Sequence, residues 1–193
     1  MTVNATLHYS SACLCLGLAF FALLRDRRSF VHRIFALGMT ALALESLFTG
    51  LSTQAIIPEE AVVWQQWRSL ATAFLPGIWL LFSLSLARED YRPLLAKWKW
   101  AILTAFLFHL IFVSFLRANF FQGVPIHLPH GRELGLGWSG YGFHVGLLLS
   151  FVLIIMILEK KLRESRGRIR WQVKFLLLGI GGIFAERIYT GSH

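Results

Sequence analysis

Apolar residues run along this chain in blocks of roughly 20, the length needed to cross about 30 Å of hydrocarbon, and short polar gaps interrupt them. Six blocks are long enough to be membrane helices. They run from about Ala5 to Leu24, Ile34 to Leu51, Arg68 to Ala87, Trp100 to Leu116, Trp138 to Leu158 and Trp171 to Tyr189. The expected fold is all-α, a polytopic helical membrane bundle.

The gaps between blocks alternate in charge. Arg25, Arg27, Arg28 and Arg33 fill the first, and Arg88, Arg92, Lys97 and Lys99 the third. Lys160, Lys161, Arg163, Arg166, Arg168 and Arg170 fill the fifth. The second carries Glu59 and Glu60, and the fourth only Arg117 and Arg132 as basic residues. Cytoplasmic loops accumulate Lys and Arg, so the odd gaps are expected inside and the N-terminus outside. An even number of crossings then returns residue 193 to the outer side. A cytoplasmic domain downstream would need a seventh helix first, so residues 1–193 read as a bundle cut after its sixth helix.

Composition agrees. The chain is 56% hydrophobic and 15% charged, with mean hydropathy +0.60, which is unusual for a soluble domain. The net charge of +9 sits in the gaps, which fits a topology signal better than a nucleic-acid surface. "MTVNATLHYS" lacks the basic start of a signal peptide, so the first block is expected to remain as a helix. Its Cys13 and Cys15 read as small buried hydrophobes.

Local features refine the picture. Trp64, Trp67, Trp138 and Tyr141 fall at the expected outer boundary, and Tyr91, Trp98, Trp100 and Trp171 at the inner one. Trp79 falls deep in the third block and reads as a packing residue. "PEEAVVWQQW" leads into that block, with Pro58 suited to the first helical position and Glu59 and Glu60 to the positive end of the dipole. Pro76–Gly77 predicts a kink within it. Gly142 and Gly146, and Gly179 and Gly182, form smooth faces for close helix packing. The fourth gap, "RANFFQGVPIHLPHGRELGLG", is the longest external segment.

Ionisable residues inside a bilayer are costly and usually pair within the bundle. Glu186 and Arg187 lie roughly 22 Å along the sixth block, and Glu45 roughly 17 Å along the second, at about 1.5 Å per residue. Arg68 sits near the outer end of the third block. A polar cluster of Glu45, Arg68, Glu186 and Arg187 is therefore expected in the outer half. It reads either as a ligand-sensing network or as structural pairing and snorkelling to the interface.

His109 and His144 are intramembrane histidines on successive blocks. They read as hydrogen-bonded core residues or, alternatively, as a haem or quinone site. His127, His130 and Glu133 form a weak metal pattern in the outer segment, against which Pro129 counts. No metal or cofactor is expected. "EKKLRESRGRIRWQVK" reads as an orientation signal next to lipid head groups. No nucleophile–base constellation, phosphate-binding glycine loop or HExxH is present.

Two stretches carry a family resemblance. Arg170, Trp171, Gln172, Lys174, Gly179, Arg187, Ile188, Tyr189 and Thr190, in "RWQVKFLLLGIGGIFAERIYTGSH", form one. "WLLFSLSLARED", Trp79 to Asp90, is the other. The chain resembles the N-terminal membrane region of sensor histidine kinases of the PEP-CTERM/exosortase system (PrsK-like), and more broadly the seven-helix modules of bacterial histidine kinases. The resemblance implies a location in the bacterial inner membrane and control of a cytoplasmic autokinase. It also implies a homodimer through the full-length kinase and a response regulator as partner. Nucleic acid is not an expected partner. A membrane redox protein, a transporter, or a receptor module of another signalling enzyme are the alternatives.

Overall fold

The computed structural model describes residues 3–86, 91–115, 121–128, 131–164 and 174. Five helices make up the bundle: α1 (Val3–Arg25), α2 (Phe30–Gln54), α3 (Pro58–Ser85), α4 (Arg92–Phe115) and α5 (Trp138–Glu164). All five are long and apolar enough to cross a membrane. Between α4 and α5 the chain forms an antiparallel ribbon, β1 (Phe121–Leu128) and β2 (Gly131–Leu136). The sixth expected helix lies outside the described residues, apart from Lys174, which is helical and exposed.

The helices overrun the apolar blocks. α3 begins at Pro58 rather than Arg68, and α4 at Arg92 rather than Trp100. α5 continues to Glu164 rather than stopping at Leu158. Hydropathy marks only the part of a helix that lies in hydrocarbon, whereas backbone hydrogen bonding carries the helix on into the interface. The 28 residues of α3 span about 42 Å, against about 30 Å of hydrocarbon. Pro58 opens α3 with Glu59 and Glu60 in its first turn. The helix continues unbroken through the fully buried Pro76.

Short connections make neighbouring helices antiparallel. At the α1–α2 turn, Asp26 Oδ1 accepts hydrogen bonds from the backbone N–H of Arg28 (3.0 Å) and of Ser29 (3.2 Å). That is the local turn chemistry of a short acidic side chain. The basic end of the bundle holds this turn and the start of α4, and Phe30 and Tyr91 stack there at 4.9 Å. The opposite end holds the α2–α3 turn.

α1 packs on α2 through a line of small residues, Ala5, Ala12 and Ala19, each buried and seven apart. Small side chains let helix backbones come close. At the far end Gly50 meets the Tyr9 ring, where a Cβ would lie 3.0 Å from Cε1, and Tyr9 donates its hydroxyl to Gln54 Oε1 at 3.1 Å. Among the described residues nothing covers the outer face of α1. Cys13 is therefore exposed rather than buried, and Cys15 only half-buried.

The core centres on α3. Ala73, Leu75, Ile78, Trp79, Leu80, Phe82 and Leu84 are all buried and pack with Met39 and Leu42 of α2 and Phe143, Leu147 and Phe151 of α5. Trp79 meets Phe82 edge-on at 5.6 Å and Phe35 at 6.3 Å, as its packing role requires.

Between α4 and α5 the glycine face has a specific use. A Cβ on Gly146 would lie 2.3 Å from the Phe108 ring, and one on Gly142 2.6 Å from Phe112. Two phenyl rings one turn apart on α4 thus seat on two glycines one turn apart on α5. Gly77 of α3 receives the Phe106 ring in the same way, at 2.4 Å.

Candidate functional site

A polar path crosses from α2 to α3 inside an otherwise apolar region. Glu45 is 7% exposed, yet its Oε1 lies 3.6 Å from Arg68 Nε. Arg68 Nη1 donates to Gln65 Oε1 at 3.1 Å. Gln65 Nε2 donates to Ser52 Oγ at 3.0 Å, and that hydroxyl donates to the Ala61 carbonyl at 3.3 Å. Glu45 lies nine residues before the end of α2 and Arg68 ten after the start of α3. Both are therefore about 14–15 Å from the same end of the bundle, within reach of one another.

Helical geometry explains why these residues meet. Gln65 and Arg68 are three apart and share a face of α3, while Ser52 follows Glu45 by seven on α2. Thr49 and Thr72 bond back to the carbonyls of Glu45 and Arg68, each within its own helix (2.8 and 2.9 Å), so they do not compete for the charges. Arg68 also lies within electrostatic range of His144 on α5.

The structure thus brings together two of the four residues expected to cluster. Glu186 and Arg187 lie outside the described residues. Ser52 and Gln65 were missed in the sequence because uncharged polar residues are ordinary at helix ends. Their spacing from Glu45 and Arg68 was the available signal.

The two histidines each bond back to their own helix. His109 is buried at 1% exposure, with Nδ1 2.8 Å from the Ala105 carbonyl. Its ring stands edge-on to Phe143 at 5.6 Å. His144 bonds its own helix, Nδ1 to the Gly140 carbonyl at 2.8 Å, and its side chain is exposed. Each ring is tied back to its own helix and stands edge-on to Phe143, at 5.6 Å in both cases.

His109 lines an open cleft of about 400 Å³ between α3, α4 and α5, together with Pro76, Leu80, Thr104, Phe108 and Leu149. In the ribbon, His127 pairs with Arg132 and Glu133 with Ile126, and His130 lies outside the described residues. Among the described residues no group of three or more His, Cys, Asp or Glu is placed to hold a metal.

Apolar helices of spanning length, a buried carboxylate paired with a half-buried arginine, and basic residues gathered at one end define a multi-pass helical membrane protein. No curated protein and no solved structure matches the chain. Residues 7–189 match the family described as the N-terminal 7TM region of histidine kinase. The chain belongs to that family and is a membrane sensor region of a histidine kinase.

Proposed function

We propose that the bundle reads a stimulus in its outer half and transmits it through α3 to an autokinase on the cytoplasmic side. The observation that carries this reading is the Glu45–Arg68 pair, a buried carboxylate facing a half-buried guanidinium in an otherwise apolar region. Replacing such a pair by well-packed apolar residues is often neutral or stabilising, so its presence favours a role in specificity or switching. We further infer that Glu186 and Arg187, on a sixth helix over residues 171–189, complete the cluster, and that a seventh helix follows before the kinase. The N-terminus lies outside a bacterial inner membrane in this reading, because the arginine-rich gaps then face the cytoplasm. Dimerisation through the kinase, phosphotransfer to a response regulator and membership of the PEP-CTERM-associated branch rest on the resemblance in "RWQVKF" and "RIYT".

The test is autophosphorylation of the full-length kinase in proteoliposomes, comparing wild type with Glu45→Gln and Arg68→Gln. The expected result is an altered basal rate in both variants and a smaller departure in the double variant. Folded variants whose rates match wild type under all stimuli would remove the pair from the signalling path.

A further inference from the structure

Arg68 is held from α2 by two routes. Glu45 faces its Nε directly, at 3.6 Å. Ser52 holds its Nη1 through the Gln65 side chain, in steps of 3.1 and 3.0 Å. The second route has a fixed direction. A guanidinium only donates, so the Gln65 atom turned to it is Oε1, and Nε2 turns to Ser52. The amide nitrogen also only donates, so Ser52 Oγ accepts there and sends its own proton to the Ala61 carbonyl at 3.3 Å. Flipping the amide would set donor against donor at Arg68.

The two routes differ in quality. The Gln65 bonds lie within the ordinary range for N–H···O, and the Glu45 contact lies beyond it. A charge pair gains as it closes, and a direct charge-assisted bond runs at about 2.7–2.9 Å. Nε and Nη1 belong to one rigid plane, so the guanidinium cannot approach Glu45 without carrying Nη1 along. Gln65 is well placed to resist that movement. It sits three residues before Arg68 on the same face of α3, and its anchor Ser52 is buried on α2, two turns beyond Glu45.

We propose that Gln65 is the positioning residue of the charge pair: anchored on Ser52, it holds Arg68 back from Glu45 at a separation from which the pair can close. Loss of the Gln65–Arg68 bond lets the guanidinium move onto the carboxylate. As a control on output this rests on the signalling reading above, but the strength of the pair is measured apart from output. Leucine at position 65 is a clean probe, because Ser52 keeps the Ala61 carbonyl and Arg68 keeps Glu45.

The experiment repeats the Glu45→Gln, Arg68→Gln double-mutant cycle on three backgrounds of the full-length protein, by steric trapping of the bundle in bicelles. On Gln65→Leu the coupling constant should rise about three- to tenfold. Closing from 3.6 Å to about 2.8 Å at an effective dielectric of about 20 gives the upper figure, and the partial exposure of Arg68 lowers it. Gln65→Glu keeps the acceptor and adds a competing carboxylate on the holding side, so the coupling should fall. Ser52→Ala removes the anchor and should act in the direction of Gln65→Leu, by less. A Gln65 that only supports the fold would lower stability in these variants and leave the coupling at its wild-type value. Unchanged coupling on Gln65→Leu, or a shift of the same sign on Gln65→Leu and Gln65→Glu, overturns the proposal. If Gln65→Leu does not fold, unchanged coupling on the other two backgrounds overturns it equally. Couplings that move as expected while autophosphorylation stays at wild type uphold the positioning role and count instead against the signalling reading.

Discussion

The Glu45–Arg68 pair can be weighed by a double-mutant cycle of Glu45→Gln and Arg68→Gln. At 3.6 Å two unit charges attract by about 4.6 kcal/mol at an effective dielectric of about 20. Two features reduce that figure. The Arg68 side chain is 35% exposed, and the separation is longer than a direct hydrogen bond. The net coupling should therefore fall at about 1–2 kcal/mol, inside the range of about 0.5–3 kcal/mol for contacting residues. The singles should be unequal. Arg68→Gln takes the cation away from a carboxylate whose side chain is 9% exposed, and removing one partner of a buried pair costs up to about 3–5 kcal/mol. Glu45→Gln leaves a long cation that still holds Gln65 and can extend towards the interface, so about 1–2 kcal/mol is expected. Reversible unfolding in bicelles by steric trapping measures all four corners. Coupling below about 0.3 kcal/mol, or a costlier Glu45→Gln than Arg68→Gln, would refute the assignment of Glu45 as the enclosed partner.

Other consequences are open to measurement. Gly146→Leu drives a side chain into the Phe108 ring and should destabilise the bundle by about 1–3 kcal/mol, with much of the loss recovered when Phe108→Ala is added; equal unfolding free energies for the single and double variants would contradict the packing. Gly38→Val places methyl groups where Ile78 and Trp79 already lie 3.3 and 3.4 Å from a Cβ position, so it should shift α2 against α3 and change both autophosphorylation and the Glu45–Arg68 coupling, which spans the same interface; wild-type values of both would contradict the tight fit. Periplasm-active reporters should respond when fused at the α2–α3 turn or within the β1–β2 ribbon, and stay silent after Arg25 or Arg92, the reverse pattern inverting the proposed orientation.

The apolar blocks made the helices legible, because spanning length is a coarse signal that survives errors at the edges. What they did not reveal was where helices stop. Pro58 and the two acids after it marked the true start of α3, while hydropathy placed it at Arg68, since interfacial turns are polar yet still helical. The glycines of α5 were legible as a packing face, but not their partners. That phenyl rings of α4 fill them depends on the rotation of two helices, which no local pattern encodes. The ribbon between α4 and α5 was read only as an external segment. An isolated hairpin is marginal by itself, and "FQGVPIHL" has Gly123 and Pro125 interrupting the alternation. Glu45 and Arg68 were legible because charge within an apolar block is rare. His109 was visible too, but its bond back to the Ala105 carbonyl was not, because that depends on the side-chain rotamer.

Among the described residues, α3 is the element that touches each of these features. Arg68 and Gln65 hold it to α2 near one end, and Pro76 and Leu80 give it one wall of the His109 cleft further along. Trp79 and Phe82 lock it against Phe35 of α2 nearer the basic end. A packed interior is closer to bistable than to continuously deformable, so a small change at the ion pair or the cleft has two outcomes. Either it is absorbed by side chains that touch α3, or α3 shifts as a body against α2. The first gives a binding protein without output. The second requires an interface that can settle in two registers, and the α2–α3 contact has the ingredients: a small residue at Gly38, a tight fit to Trp79, and a charge pair long enough to shorten. Proximity alone does not establish coupling. Gly38→Val separates the two outcomes, because it acts on the α2–α3 contact itself, at Ile78 and Trp79.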